Sequence, residues 1–166
     1  MAFLAVMIAV LGTAAAASGS TCREEQGKDQ ATGGPDPVLR TIEVQFDGRR
    51  MIVEVADDPE ERRQGLSDRE AVALDAGMLF VWDSVAVYTL WMKNMRFPLD
   101  FVWIDEQRRV VNVTADVPHQ SGASDAELIR YSSGVDVLYA IELNAGAAER
   151  LGIEAGDVLV FDETRP

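Results

Sequence analysis

The chain has 166 residues, 48% of them hydrophobic, which supports one domain of ordinary size with a buried core. Its formal net charge is −13, from 28 acidic against 15 basic residues. Such a field repels phosphate backbones and anionic lipid surfaces, so nucleic-acid binding and electrostatic docking on membranes are set aside.

Residues 1–22 read as a leader. Ala2 to Leu11 is an apolar run of signal-peptide length, followed by the small residues Ala14-Ala15-Ala16-Ala17. A retained N-terminal anchor is the competing reading. Cys22, the sole cysteine, excludes an intramolecular disulfide; its place after an apolar run makes it a candidate for lipidation. Residues 23–39, rich in Gly, Pro, Asp and Gln, read as a flexible tether. Either version of the leader places the domain, residues 40–163, outside the cytoplasm, secreted or anchored to the cytoplasmic membrane, which it meets only through this N-terminal segment.

Within the domain, Arg40 to Phe46 carries Ile42, Val44 and Phe46 on one face, the alternation of a half-buried strand. Asp47-Gly48 is a hairpin signal, and Arg49 to Ala56 is the return strand, in which Ile52 alternates against Met51, Val53 and Val55. Asp57-Asp58-Pro59-Glu60-Glu61 starts a helix with an acidic cap and an early proline. Gly65 ends it with a positive φ. Arg62 on this helix is expected on a solvated face, with an inward turn toward a carboxylate as the alternative.

Gly77 to Trp82 is a continuous apolar strand, and Tyr88 to Lys93 and Leu99 to Ile104 follow, separated by a corner at Asn94–Pro98. Arg108 to Thr114 is the next strand, after a turn at Asp105-Glu106-Gln107. Val117 to Arg130 reads as a surface loop that Tyr131 to Gly134 closes. Val135 to Leu143 is a strand, Asn144 to Leu151 a short helix capped by Asn144, and Val158 to Phe161 the last strand. About eight strands with two short helices predict a mainly β fold, a single compact β-sandwich or partly closed barrel.

The fifteen residues from Trp91 to Asp105 contain two of the three tryptophans and one of the two lysines. Two strands joined at Pro98 would bring Lys93 and Asp100 toward a common edge. Lys93 would then either brace the corner by an ion pair with Asp100 or hold an anionic ligand in a cleft floored by Trp91, with Asn94 as a polar contact. A serine–lysine hydrolase is a third reading, with Ser67 or Ser84 as the serine. His119, the one histidine, is expected in an exposed loop, which argues against a histidine metal site or a Ser-His-Asp triad. No phosphate-cradling glycine loop or dinucleotide motif is present, so no cofactor is expected.

Trp91-Met92-Lys93-Asn94 followed by Pro98-Leu99-Asp100 resembles the signature of the bacterial and archaeal domain of unknown function 192 (DUF192) family. Glu54 to Asp57 with Pro59 to Arg62, Gly65-Leu66 and Arg69 resembles its first block; Gly77 to Val81 resembles its second. Ala140 to Gly146, Leu151 to Ile153 and Gly156-Asp157 resemble its closing block. Ser67 and Met95 depart from the pattern, where a methionine and a small polar residue are usual. The resemblance implies a compact, mostly β extracytoplasmic domain and no particular activity. The resulting expectation is a binding or accessory module for a small anionic ligand or a protein partner, with Arg62, Lys93, Asn94 and Asp100 at its site. The alternative is a small hydrolase using Lys93 or Asp100.

Overall fold

The computed structural model of the protein describes residues 39–162. The leader, Cys22 and all but the last residue of the tether lie outside the described residues. Nine strands and two short helices make up the rest: β1 (Thr41–Phe46), β2 (Arg49–Ala56), α1 (Pro59–Gln64), β3 (Ala76–Ala86), β4 (Thr89–Trp91), β5 (Leu99–Ile104), β6 (Val110–Val117), β7 (Arg130–Ser132), β8 (Val137–Asn144), α2 (Ala147–Leu151) and β9 (Leu159–Val160).

Seven strands form one curled sheet in the order β6-β5-β8-β3-β2-β1-β9. All its pairings are antiparallel except β2 with β3, which α1 and the loop after it connect. The two edges come back toward each other. Arg109 bridges to Val158, and Leu159 N–H donates to the Arg108 carbonyl at 2.8 Å. The result is the partly closed barrel of the two expected architectures. Curling in this way removes much of the open sheet edge that would otherwise invite pairing with other chains.

Alternation decides what fills the barrel. Val44, Phe46, Met51, Val53, Leu79, Val102, Ile104, Ile141 and Leu143 point inward and are buried together, with Ala147 and Ala148 of α2 closing one end. The opposite face of the central strands is also covered. Met78, Phe80, Phe101, Trp103 and Ala140 pack under Leu66, Leu90, Met92 and Met95. All six residues of β5 are therefore buried. The covering layer includes the small sheet of β4 with β7 and the loop after α1.

Local chemistry accounts for the ends of the elements. Asp47 and Gly48 both have positive φ (44° and 77°), the conformation a two-residue hairpin with the right twist requires. Asp58 accepts hydrogen bonds from Glu60 and Glu61 N–H, and Glu61 reaches back to the Asp58 N–H, a complete capping box.

Four expectations are corrected. The segment at 88–93 is a strand only over Thr89–Trp91, because Lys93 and Asn94 form a turn closed by Met95 N–H on the Met92 carbonyl, with Asn94 at φ 54°. The strand expected to end at Thr114 runs to Val117, which pairs with Leu99. Arg130 to Ser132 is a strand, held by cross-strand pairing with β4. Asn144 does not cap α2: its amide donates to the Val72 and Ala73 carbonyls at 2.9 and 3.0 Å, and Gly146 is the cap residue.

Candidate functional site

The four residues singled out in the sequence are distributed over the fold. Asp100 is fully buried at the start of β5. Its two oxygens accept hydrogen bonds from Asp116 N–H and Ala148 N–H, both at 2.9 Å. A strand carboxylate thereby caps the first turn of α2, which has no side-chain cap of its own. Lys93 does not meet it. The Lys93 ammonium donates to Asp125 at 2.6 Å, and its side chain is 29% exposed. The sequence offered no sign of this partner, which comes from the long loop before β7.

Arg62 is not on a solvated face. Its side chain is 13% exposed and donates to the Asp57 and Val81 carbonyls at 2.6 and 2.7 Å, with Asp83 at 3.6 Å. It ties α1 to β3. Asn94 lies exposed in its turn, with its amide 3.5 Å from Asp68 Oδ2. Ser67 donates to the Lys93 backbone carbonyl at 2.8 Å, and Ser84 lies 3.4 Å from the Tyr88 hydroxyl. No serine–lysine pair results. His119 is exposed, with Nδ1 2.9 Å from Ser121 Oγ.

A different group has the marks of a site. Glu142 on β8 is 4% exposed, and its Oε2 has no hydrogen-bond partner. It stands opposite Met78 on β3 and Phe101 on β5, on the outer face of the sheet. Burial pushes its carboxyl up to about 8, although the nearby Arg69 guanidinium pulls the other way. Arg69 is itself held by Glu54 in a two-point ion pair at 2.7 and 2.6 Å. At neutral pH Glu142 is thus mostly an uncharged acid, able to donate as well as accept.

The carboxyl borders a recess of about 20 Å³, room for roughly one water-sized group. Arg62, Gly65, Phe80, Trp91 and Met95 also line it. Gly65 makes the opening: a Cβ there would lie 3.3 Å from the Phe80 ring and 3.7 Å from Glu142 Oε2. Trp91, which lines the recess, is paired across the strands with Arg130 of β7, whose guanidinium stacks 3.6 Å from the ring centroid. Lys93 Nζ lies 6.0 Å from the same ring. Among the described residues Arg130 is the one arginine or lysine side chain with neither a carboxylate nor a carbonyl partner.

A wider hollow of about 320 Å³ opens at the mouth of the barrel, lined by Arg40, Asp57, Trp82, Asp83, Tyr139 and Phe161. Two of its charged groups, Arg40 and Asp57, satisfy each other at 3.0 Å. The smaller recess carries the stronger chemical signal despite its size, because an orphaned carboxyl oxygen costs free energy that packing alone would have removed. No group of three or more metal-ligating side chains occurs among the described residues.

Glu142 left one trace in the sequence: it is the sole charged residue in the otherwise apolar run from Val137 to Leu143. Arg130 left none, since nothing local marks it as the partner of Trp91.

A family profile described as DUF192, Uncharacterized ACR, matches residues 42–161. Two solved structures are similar to this one. A protein from Sinorhizobium meliloti 1021, described provisionally as a transcription regulator, is 34% identical with a TM-score of 0.67, over 74% of this chain and 95% of the other. A protein of unknown function from Novosphingobium aromaticivorans DSM 12444 is 28% identical with a TM-score of 0.67, over 76% and 89%. No curated protein matches the chain.

Proposed function

The chain belongs to the DUF192 family, and from that premise we propose that it is a binding or accessory module working outside the cytoplasm, which holds a small anionic ligand beside Trp91. The observation that carries this reading is Arg130. In a chain with 28 acidic residues it lies stacked on an aromatic ring and without a carboxylate, so its charge is available to an external anion. Lys93 stands on the same ring, and its carboxylate partner Asp125 is 64% exposed and readily displaced. The extracytoplasmic setting rests on the apolar run at Ala2 to Leu11 and the alanines after it.

A hydrolase built on Lys93 or Asp100 finds no comparable support, since both carboxylate oxygens of Asp100 and the Lys93 ammonium already have partners. The regulator description of the Sinorhizobium meliloti structure is not carried over as DNA binding, because a net charge of −13 opposes the approach of a phosphate backbone.

The test is a thermal-shift screen of small carboxylates, phosphates and sulfonates on the wild type, Lys93→Met and Arg130→Met. An anion that raises the wild-type melting temperature should lose most of its effect in Arg130→Met and part of it in Lys93→Met. Equal shifts in all three proteins would remove this face from the site. Fractionation of cells expressing the full chain tests the location, and recovery in the cytosol would overturn that part.

A further inference from the structure

We propose that the recess beside Trp91 is a subsite for a single acceptor oxygen, a ligand carbonyl, hydrogen-bonded by the Glu142 carboxyl. The inference rests on the anion-binding reading above and narrows the ligand to a small carboxylate bearing an acyl carbonyl, such as an N-acylated amino acid.

Four observations carry it. The Oε2 without a protein partner belongs to a residue that is only 4% exposed. The space it borders, about 20 Å³, has room for roughly one water-sized group, which suits a single ligand oxygen. The space exists because residue 65 is glycine in a backbone conformation that side chains rarely adopt, φ 52°. Finally, Trp91 lines the recess and also carries Arg130, so one ring joins the two features, and we take one short ligand to span them.

The protonation state selects the class. A buried acid with a value near 8 donates its proton to a neutral acceptor oxygen at pH 7. An ammonium would prefer the ionised form, but the cations nearest the carboxyl disfavour a second cation there. Arg62 and Arg63 of α1 line the same recess, and Arg69, paired with Glu54, acts on the carboxyl from the loop after α1; Lys93 with Asp125 and Arg130 lie on the Trp91 ring. Arg62 and Arg63 face Asp83 and Glu60 respectively.

The experiment measures binding of N-acetylglycine and of pentanoate, which has a carboxylate but no second acceptor, by calorimetry from pH 6.5 to 9.5. The proteins are the wild type, Glu142→Gln and Glu142→Leu, each first checked for a cooperative melt. N-acetylglycine should bind the wild type at least tenfold more tightly than pentanoate at pH 7, and that affinity should fall about tenfold per pH unit above 8. Glu142→Gln, which keeps a donor and cannot ionise, should bind with a flat pH profile. Glu142→Leu should reduce N-acetylglycine to the level of pentanoate. Equal, pH-independent binding of both probes would overturn the subsite and leave the anion site standing, with the recess holding only water. Absence of binding by either probe, with other anions still stabilising the wild type through Arg130, would overturn the ligand class. If no anion acts through Arg130, both proposals fall.

Discussion

At the scale of single residues, Asp100 shows how a buried acidic side chain can serve as backbone infrastructure. It lies fully buried, yet its two oxygens satisfy amides from β6 and α2, so one carboxylate fastens three elements. Charge-assisted hydrogen bonds of this kind offset the desolvation of the carboxylate. Asp100→Ala strands both amides in the interior and should cost about 2–4 kcal/mol in urea unfolding. Asp100→Asn keeps one good acceptor and should fall between that value and the wild type. A neutral result for Asp100→Ala would return Asp100 to the list of residues retained for a ligand rather than for the fold.

At the scale of elements, α1 and the chain that follows it build the covered outer face. The helix is only six residues long, and Gly65 stops it by donating to the Glu61 carbonyl at 2.8 Å while adopting φ 52° and ψ −135°. The chain then turns toward the Lys93 turn, where Ser67 Oγ and Asp68 N–H donate to the Lys93 and Asn94 carbonyls, and Glu70 meets Arg96. This stitching sets Leu66 and Met95 over Phe80. Gly65→Val places a β-branched side chain in that conformation and against Phe80, so it should lower stability by roughly 2 kcal/mol or more. It should also abolish any ligand binding that depends on the recess. A Gly65→Val protein with wild-type stability in denaturant would mean that the turn relaxes freely.

At the scale of the whole molecule, Glu142 couples the fold to pH. The unfolded carboxyl ionises near 4.5 and the folded one near 8, so the folded state holds the extra proton between those values. Stability therefore declines as pH rises from about 4.5 to 8, with a slope approaching 1.4 kcal/mol per pH unit, about the value for one proton, and levels off above. Glu60 and Glu127 act in the other direction. Hydrogen bonds from Arg63 and Ser124 hold them below the usual carboxylate range, so their contribution is lost only as pH falls below about 4.5. The window above that is left to Glu142. Glu142→Gln should remove the slope and exceed the wild type in stability at pH 8, as read from chemical unfolding at pH 5, 6.5 and 8. A wild-type curve that is flat or rising across this window would show that the carboxyl ionises normally.

The amino-acid sequence by itself determined the elements whose causes are local. The Asp47-Gly48 hairpin, the acidic cap of α1, the glycine stop at Gly65 and the alternation of Ile52 against Met51, Val53 and Val55 all follow from interactions spanning a few residues. The mainly β class followed from the strand patterns and the family from the motif blocks, whereas the burial of β5 on both faces, Asp100 included, did not. The tertiary structure alone decided what depends on residues far apart in the chain. The strand order, the edge contact between Arg109 and Val158, and the pairing of Arg130 with Trp91 fall in this group. So do the partners of Lys93, Arg62 and Asp100, which lie 16 to 48 positions away for the most telling hydrogen bonds. Glu142 belongs here as well. An acid in an apolar strand is visible in the sequence, but whether it meets solvent, a cation or an empty recess depends on which strands flank it and what covers them, and these are set only when the sheet has curled.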